Sequence, residues 1–278
     1  MNRQDRSESL AQPGWLSHEV EGAVLHLRLW RSPAAGAPTV MLVNSLGCDL
    51  RIWSEVAQLL VPHMHVVTYD KRGHGLSQVG ADPHSIARHG ADLVELIQMV
   101  AGGPAFVCGL SIGGLVAMDA ALERPDLVRG LILCATEARI GSRERYQDRI
   151  DRIRAKGMAP ILDEQMARWF SAAYQRSQPG EVAVMRNMLE RQPLDGYLSS
   201  VQAIRDADYR DRLGQIAGPV LCLAGEEDGS TPPDRVAALA RDIPGAAFAQ
   251  IEGAGHLPCI EAPGAMARHI SRFVQAAQ

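Results

Sequence analysis

Six short apolar runs, at 39–43, 66–69, 105–108, 131–134, 220–224 and 247–251, limit how this chain can fold. They are rich in Val, Ile and Leu without clean alternation, as strands buried on both faces are. Stretches with helical periodicity at 52–61, 85–100, 114–123 and 234–241 separate them, and another closes the chain from 265 to about 274. Strand and helix in turn imply an α/β fold, a mainly parallel sheet covered by helices on both sides. Residues 20–30 differ, because Val24, Leu25, Leu27 and Leu29 are interleaved with His26 and Arg28. That pattern predicts an antiparallel strand at a sheet edge.

The alternation lapses between Thr136 and about Gly218. Four apolar stripes at helical spacing follow one another there: Tyr146, Ile150, Ile153; Leu162, Met166, Trp169, Phe170; Val182, Met185, Leu189; and Tyr197, Val201, Ile204. Gly157, Pro160, Pro179-Gly180 and Pro193 punctuate them. The expected organisation is a core over 1–136, a four-helix cap over 137–217 and the rest of the core over 218–278, with residues 1–14 mobile.

The net charge of -4 offers no basic footprint for nucleic acid. No run approaches the roughly 20 apolar residues that cross a bilayer. The start, MNRQDRSESLAQPG, lacks the apolar centre of a signal peptide. The five cysteines include no CxxC pair and no Cys/His spacing for a metal, and three fall in strand-like runs, where cysteine acts as a small hydrophobe. A soluble, cytoplasmic chain with no membrane contact and no metal is expected.

The chemistry starts where a buried strand runs into Gly109-Leu110-Ser111-Ile112-Gly113 and a small-residue helix follows. This is the form of a nucleophile elbow, a strained strand-to-helix turn with a serine at its tip. A serine needs a base, and the base needs a group to hold it. The run 220–224 leads into Glu226, Glu227 and Asp228, and the run 247–251 leads into Gly253-Ala254-Gly255-His256. A parallel sheet brings these loops to one edge. Among the acids Asp228 is chosen, because a short side chain deep in a turn suits holding an imidazole. The oxyanion of an acyl transfer needs donors. The N–H of Ile112 is one, and the N–H of Leu46, in the Asn44–Gly47 loop after an earlier strand, is the other.

These stretches together resemble the α/β-hydrolase superfamily over nearly the whole chain, including Asp70-Lys71-Arg72-Gly73-His74-Gly75-Leu76-Ser77, which is similar to its DxRGxGxS turn. There Asp70 and Arg72 are expected to fix the loop. Within the superfamily, Asn44-Ser45-Leu46-Gly47 with Asp49 and Trp53, GLSIGGL around Ser111, the passage from Ala135 to Ser142, Trp169-Phe170 and Asp195-Gly196-Tyr197 resemble the 3-oxoadipate enol-lactonases of aromatic catabolism, the β-ketoadipate pathway. The residues His256-Leu257-Pro258-Cys259 depart in detail. The resemblance implies a cofactor-free serine hydrolase acting on a small lactone. Ser111 is its nucleophile, His256 its base and Asp228 its third member. It also implies a cation for the substrate carboxylate. Arg139, at the junction of core and cap, is the candidate, with pairing to a cap acid such as Asp148 or Asp151 as the structural alternative. Trp53 and Trp169 are candidates for the apolar wall. The arginines between 143 and 154, interleaved with acids, read as a solvated helix face. A general carboxylesterase, a perhydrolase or a carbon–carbon bond hydrolase shares the same motifs, and a ligand-binding protein without catalysis is the reading from another class.

Overall fold

Residues 20–30 form not one strand but the end of a hairpin. In the computed structural model, which describes residues 14–81 and 83–278, β1 (Gly14–Val20) turns at Gly22, φ +74°, into β2 (Ala23–Trp30), its antiparallel neighbour. The edge strand is therefore β1, and β2 lies inside the sheet. The mobile segment expected at the start falls, as far as residue 13, outside the described residues. The apolar runs follow as β3 (Thr39–Val43), β4 (His65–Tyr69), β5 (Ala105–Leu110), β6 (Val128–Cys134), β7 (Val220–Gly225) and β8 (Ala247–Ile251).

The sheet order is β1-β2-β4-β3-β5-β6-β7-β8. The pairs β1/β2 and β2/β4 are antiparallel, and every later pair is parallel. Every residue of β5 and β7 is buried, because helices cover both faces. The outermost strand β8 does not fit the expectation of double burial: Phe248 is 39% exposed and only Ile251 is buried. The chain reverses its order between β3 and β5, and such a switch point opens a crevice beyond the strands' carboxyl ends. The loops after β3 and β5 face each other across it.

Between β6 and β7 the described residues contain helices and no strand. The helices are Arg143–Lys156, Leu162–Trp169, Ala172–Ser177, Pro179–Glu190 and Leu194–Asp206, with 3-10 turns at Ala159–Ile161 and Arg210–Gln215. The count of four α-helices is corrected to five. Ala172–Ser177 buries no residue, so it leaves no apolar stripe in the sequence. The insert docks through a glycine pair: a Cβ on Gly196 would lie 2.4 Å from the Gly73 Cα. Among the described residues no helix is long and apolar enough to cross a membrane, and all five cysteines are buried and free.

The elbow depends on equally close backbone. A Cβ on Gly109 would stand 2.1 Å from the Gly113 carbonyl oxygen, and one on Gly113 2.4 Å from that of Val43. Backbone atoms cannot move aside as a flexible side chain can. Gly109→Ala is expected to destabilise the fold by about 3 kcal/mol, the upper range for overpacking, and to lower Tm by roughly 6–12 °C. Gly180→Ala, on an open helix surface with nothing within 4 Å of the new methyl, should leave Tm unchanged or raise it slightly. Thermal unfolding of the two variants tests this, and equal shifts would show that the close approach is not what requires glycine.

Candidate active site

Ser111 follows β5 and heads the helix Ile112–Glu123, with φ +58° and ψ -117°. Few non-glycine residues occupy that region, and holding one there costs on the order of 1–3 kcal/mol. Its neighbours hold it. The Ser111 N–H donates to the Cys134 carbonyl at 2.9 Å, and the Thr136 hydroxyl donates to the Ser111 carbonyl at 2.8 Å. Gly114 leaves room for that threonine, since a Cβ there would lie 2.5 Å from Thr136 Cγ2. Thr136 went unnoticed in the sequence because it acts across two strands.

Beyond β7 and β8, Asp228 and His256 meet with Nδ1 2.9 Å from Oδ2. Both side chains are almost fully buried. Asp228 Oδ1 accepts the N–H groups of Ser230 (2.7 Å) and Thr231 (3.0 Å), and Oδ2 accepts the Thr231 hydroxyl at 2.8 Å. Burial pushes the Asp228 carboxyl up, but the neighbouring His256 and the backbone donors outweigh it and hold the carboxyl below its ordinary range. The competing acids lie elsewhere. Glu227 is exposed, and Glu226, also exposed, accepts the Gly253 N–H at 2.9 Å.

The histidine loop is tied to the inserted helices by Glu261. That carboxylate accepts the Gly255 N–H at 2.8 Å and the Ser171 hydroxyl at 2.7 Å, while the Leu257 N–H donates to the Trp169 carbonyl at 3.3 Å. Burial raises the Glu261 carboxyl above its ordinary value, in spite of these donors. No local pattern marks Glu261, because its partners are 6 and 90 residues away.

Ser111, His256, Ser45 and Leu46 line one small cavity, roofed by the inserted helices. The Leu46 N–H has no acceptor among the described residues. Ile112, fully buried, is the first residue of its helix, where an N–H has no intrahelical acceptor. A larger open groove, about 1180 Å³, lies between the helices Ile86–Leu96 and Ile112–Glu123 and residues 203–212. Its polar groups serve the fold: Ser85 caps a helix, Asp119 accepts the Tyr209 hydroxyl and Glu123 pairs with Arg212. Among the described residues, no group of three or more His, Cys, Asp or Glu could hold a metal ion.

Of the candidate substrate residues, one lines the cavity and two do not. Trp169 lines the cavity. Trp53 does not: it closes the turn Leu50–Trp53 and packs, fully buried, in the hydrophobic core. Arg139 is also off the cavity, with its guanidinium 3.6 Å from Asp208 rather than from Asp148 or Asp151. The arginines that line the cavity are Arg145 and Arg149. The helix Arg143–Lys156 buries Tyr146, Ile150 and Ile153, and the i, i+4 pair beside that stripe lines the cavity. The expectation of a solvated face thus fails for Arg149, which is half-buried, while Arg145 borders the cavity and is still exposed. Arg149 donates to Gln165 Oε1 at 2.6 Å and to the Tyr197 hydroxyl, and its buried Nε has no partner. Neither arginine has an acid within ion-pair distance among the described residues.

Residues 38–263 match the family described as the α/β hydrolase fold. The chain is 31% identical over 231 residues to 3-oxoadipate enol-lactonase 2 of Acinetobacter baylyi, covering 83% of this chain and 86% of that protein. Among solved structures, the enol-lactonase from Burkholderia xenovorans LB400 superposes with a TM-score of 0.89 at 33% identity, covering 94% of this chain and 100% of that one. A thermophilic esterase from Thermogutta terrifontis, solved with malate bound, gives 0.86 at 28% identity, covering 96% and 99%. Sheet order, elbow and matched span agree: the chain belongs to the α/β-hydrolase fold family.

Proposed function

We propose that this protein is a serine hydrolase that opens 3-oxoadipate enol-lactone to 3-oxoadipate. The observation that carries the reading is the meeting, in one cavity, of Ser111, His256 and Leu46 with Arg145 and Arg149. An enol-lactone with a carboxymethyl arm needs an acyl-transfer centre and a cation a few ångströms apart, and the similarity to enol-lactonases of two organisms supports that substrate class.

With Nδ1 directed at Asp228, the His256 Nε2 is left free to act as base. It takes the Ser111 proton as Oγ attacks the lactone carbonyl. The oxyanion sits on the N–H groups of Leu46 and Ile112. Collapse expels the enol oxygen, which receives the proton from His256, and the opened ring stays attached to Ser111 as an ester. Water, deprotonated by His256, releases the product. Asp228 stabilises the imidazolium without itself taking the proton.

The arginines act at the other end. Arg149 Nε, buried and unpartnered, offers a donor to the carboxylate, and Arg145 adds a second guanidinium. The cleft next to the cavity shares both residues and adds Arg152 and Arg168. Asp148 and Glu164 line it too and pair with Arg152 and Arg168, so Arg145 and Arg149 are the cations there without an acid partner among the described residues. The cavity is about 40 Å³, room for little more than a couple of waters, so admitting a lactone requires the inserted helices to yield.

Hydrogen bonds to a charged group contribute roughly 1.5–3 kcal/mol. Arg149→Met should therefore lower kcat/KM for the charged lactone by about 10²-fold and that for neutral p-nitrophenyl acetate by about threefold or less. Arg139→Ala, on a half-exposed ion pair, should change neither by more than about twofold. Steady-state kinetics on both substrates decide. Equal losses on the two substrates in Arg149→Met would remove the carboxylate role, and with it the preference for the lactone over a general ester.

A further inference from the structure

The chain has two lysines, Lys71 and Lys156, among its 28 basic Lys and Arg residues. Lys156 ends an exposed helix turn, but Lys71 is 1% exposed. Its Nζ donates to the carbonyls of Asn44 (2.9 Å) and Ser45 (3.0 Å). The ionisable groups that interact with it are Cys48, Asp49 and Asp70, and His74, His84 and His89. None of the acids comes within ion-pair distance. Asp70 is engaged by His26 and by the N–H groups of Leu50 and Leu76, and Asp49 by Arg51. A buried ammonium without a carboxylate is costly, so its position calls for an explanation.

The explanation lies in one peptide plane. The Ser45 carbonyl and the Leu46 N–H belong to the same peptide bond, which is trans, and in a trans peptide the two point in opposite directions. Lys71, together with the Cys48 N–H at 3.3 Å from the same oxygen, holds the carbonyl and therefore aims the N–H into the cavity. The rest of the loop is fixed independently. The Gly47 N–H donates to His74 Nε2 at 3.1 Å, and the Gly47 carbonyl accepts from Gln192 at 3.3 Å. The Leu46 N–H is left without an acceptor among the described residues.

We propose that Lys71 is a positioning residue for acyl transfer: it orients the Leu46 N–H and supplies, one peptide bond away, the buried positive charge that the tetrahedral oxyanion lacks. The inference rests on reading Leu46 as an oxyanion donor. The charge has no anion within ion-pair distance in the resting protein and gains a closer one as the intermediate forms, so it favours the transition state over the ground state. Burial pushes the Lys71 ammonium down to about 7, against the pull of Cys48, Asp70 and Asp49. A nearby anion favours the charged form of such a group, so adduct formation and proton binding at Lys71 must reinforce each other.

The test uses the full chain labelled with ¹³C-lysine, which gives two side-chain signals, and butylboronic acid, which forms an anionic tetrahedral adduct on an active serine. The Lys71 signal should titrate near neutrality in the free protein. Its proton affinity should rise by about tenfold or more in the adduct, while Lys156 stays unchanged. An adduct that leaves the Lys71 titration where it was overturns the inference and spares the hydrolase reading. Failure to form any adduct defeats both. In kinetics, Lys71→Met should lower kcat by roughly 10- to 100-fold, short of or up to the loss of a donor outright, on lactone and neutral ester alike, with KM within about twofold. An unchanged kcat, or a loss confined to KM, also overturns it. If that variant does not fold, the titration of the wild-type protein alone decides.

Discussion

Ser111→Ala should lose about 10⁶-fold in kcat on 3-oxoadipate enol-lactone, as losses of a triad serine do, while keeping the wild-type fold. The substitution removes only a hydroxyl. It keeps the Cβ, so the strained backbone at φ +58° is unchanged, and the bracing bonds to Ser111 from Cys134 and Thr136 use main-chain atoms. The hydroxyl forms none of the hydrogen bonds that hold the elbow together. Near-UV circular dichroism and Tm should therefore match the parent protein, with Tm within about 2 °C. Residual turnover of some 10³–10⁴ over water is expected from the oxyanion donors and substrate binding alone. The measurement is single-turnover hydrolysis with purified variant at high enzyme concentration. A rate within tenfold of wild type would show that Ser111 is not the nucleophile, and the whole acyl-enzyme scheme would go with it.

The elbow was legible because its requirements are local. A buried strand, two glycines and a small-residue helix within 15 residues all constrain the same turn, and each leaves a mark on composition. The same holds for β3 to β7, where double burial forces runs of Val, Ile and Leu. Legibility fails where that pressure is absent. The strand β8 was legible at its observed bounds, 247–251, but its exposure was not, and of the edge strand β1 only Val20 was legible as strand, because the turn at Gly22 is too short to interrupt an alternating pattern. The helix Ala172–Ser177 buries nothing and so has no period to read.

In the site, the groups that follow a strand into a Gly-rich turn could be located, and those that act through tertiary contacts could not. Thr136, Glu261 and Lys71 are single polar residues whose partners are 25, 90 and 27 residues distant. The arginine row is a different case. Arg145 and Arg149 sit among acids, as on any solvated helix, and charge order alone does not say whether that face meets water or a second layer. Their i, i+4 spacing beside the Tyr146–Ile150 stripe was the available signal. It has meaning only once that helix is known to roof the cavity. Arg139 was attractive for its place in the chain, yet the exposed Asp208 was close enough to take it.

Asp228→Asn should cost about 10⁴-fold in kcat near neutral pH, the scale seen when a triad acid loses its charge, and the geometry gives the reason. Oδ1 accepts two backbone N–H groups, from Ser230 and Thr231, so in the variant that position must remain the amide oxygen. The amide nitrogen is then forced into the place of Oδ2, 2.9 Å from His256 Nδ1 and 2.8 Å from the Thr231 hydroxyl. As a donor there it requires Nδ1 to accept. The single proton of neutral His256 must then move to Nε2, the nitrogen that has to take the Ser111 proton, and the base is lost without any displacement of side chains. Glu226→Gln supplies the contrast. Glu226 stands two residues earlier in the same loop, and its carboxylate meets the Gly253 N–H rather than the imidazole, so kcat should change by about twofold or less. Steady-state kinetics of both variants, with ¹⁵N spectra of the His256 ring, read the rate and the tautomer together. If Asp228→Asn keeps more than a tenth of the wild-type rate, or loses it while Nδ1 still carries the proton, the carboxylate does not work by setting the histidine tautomer.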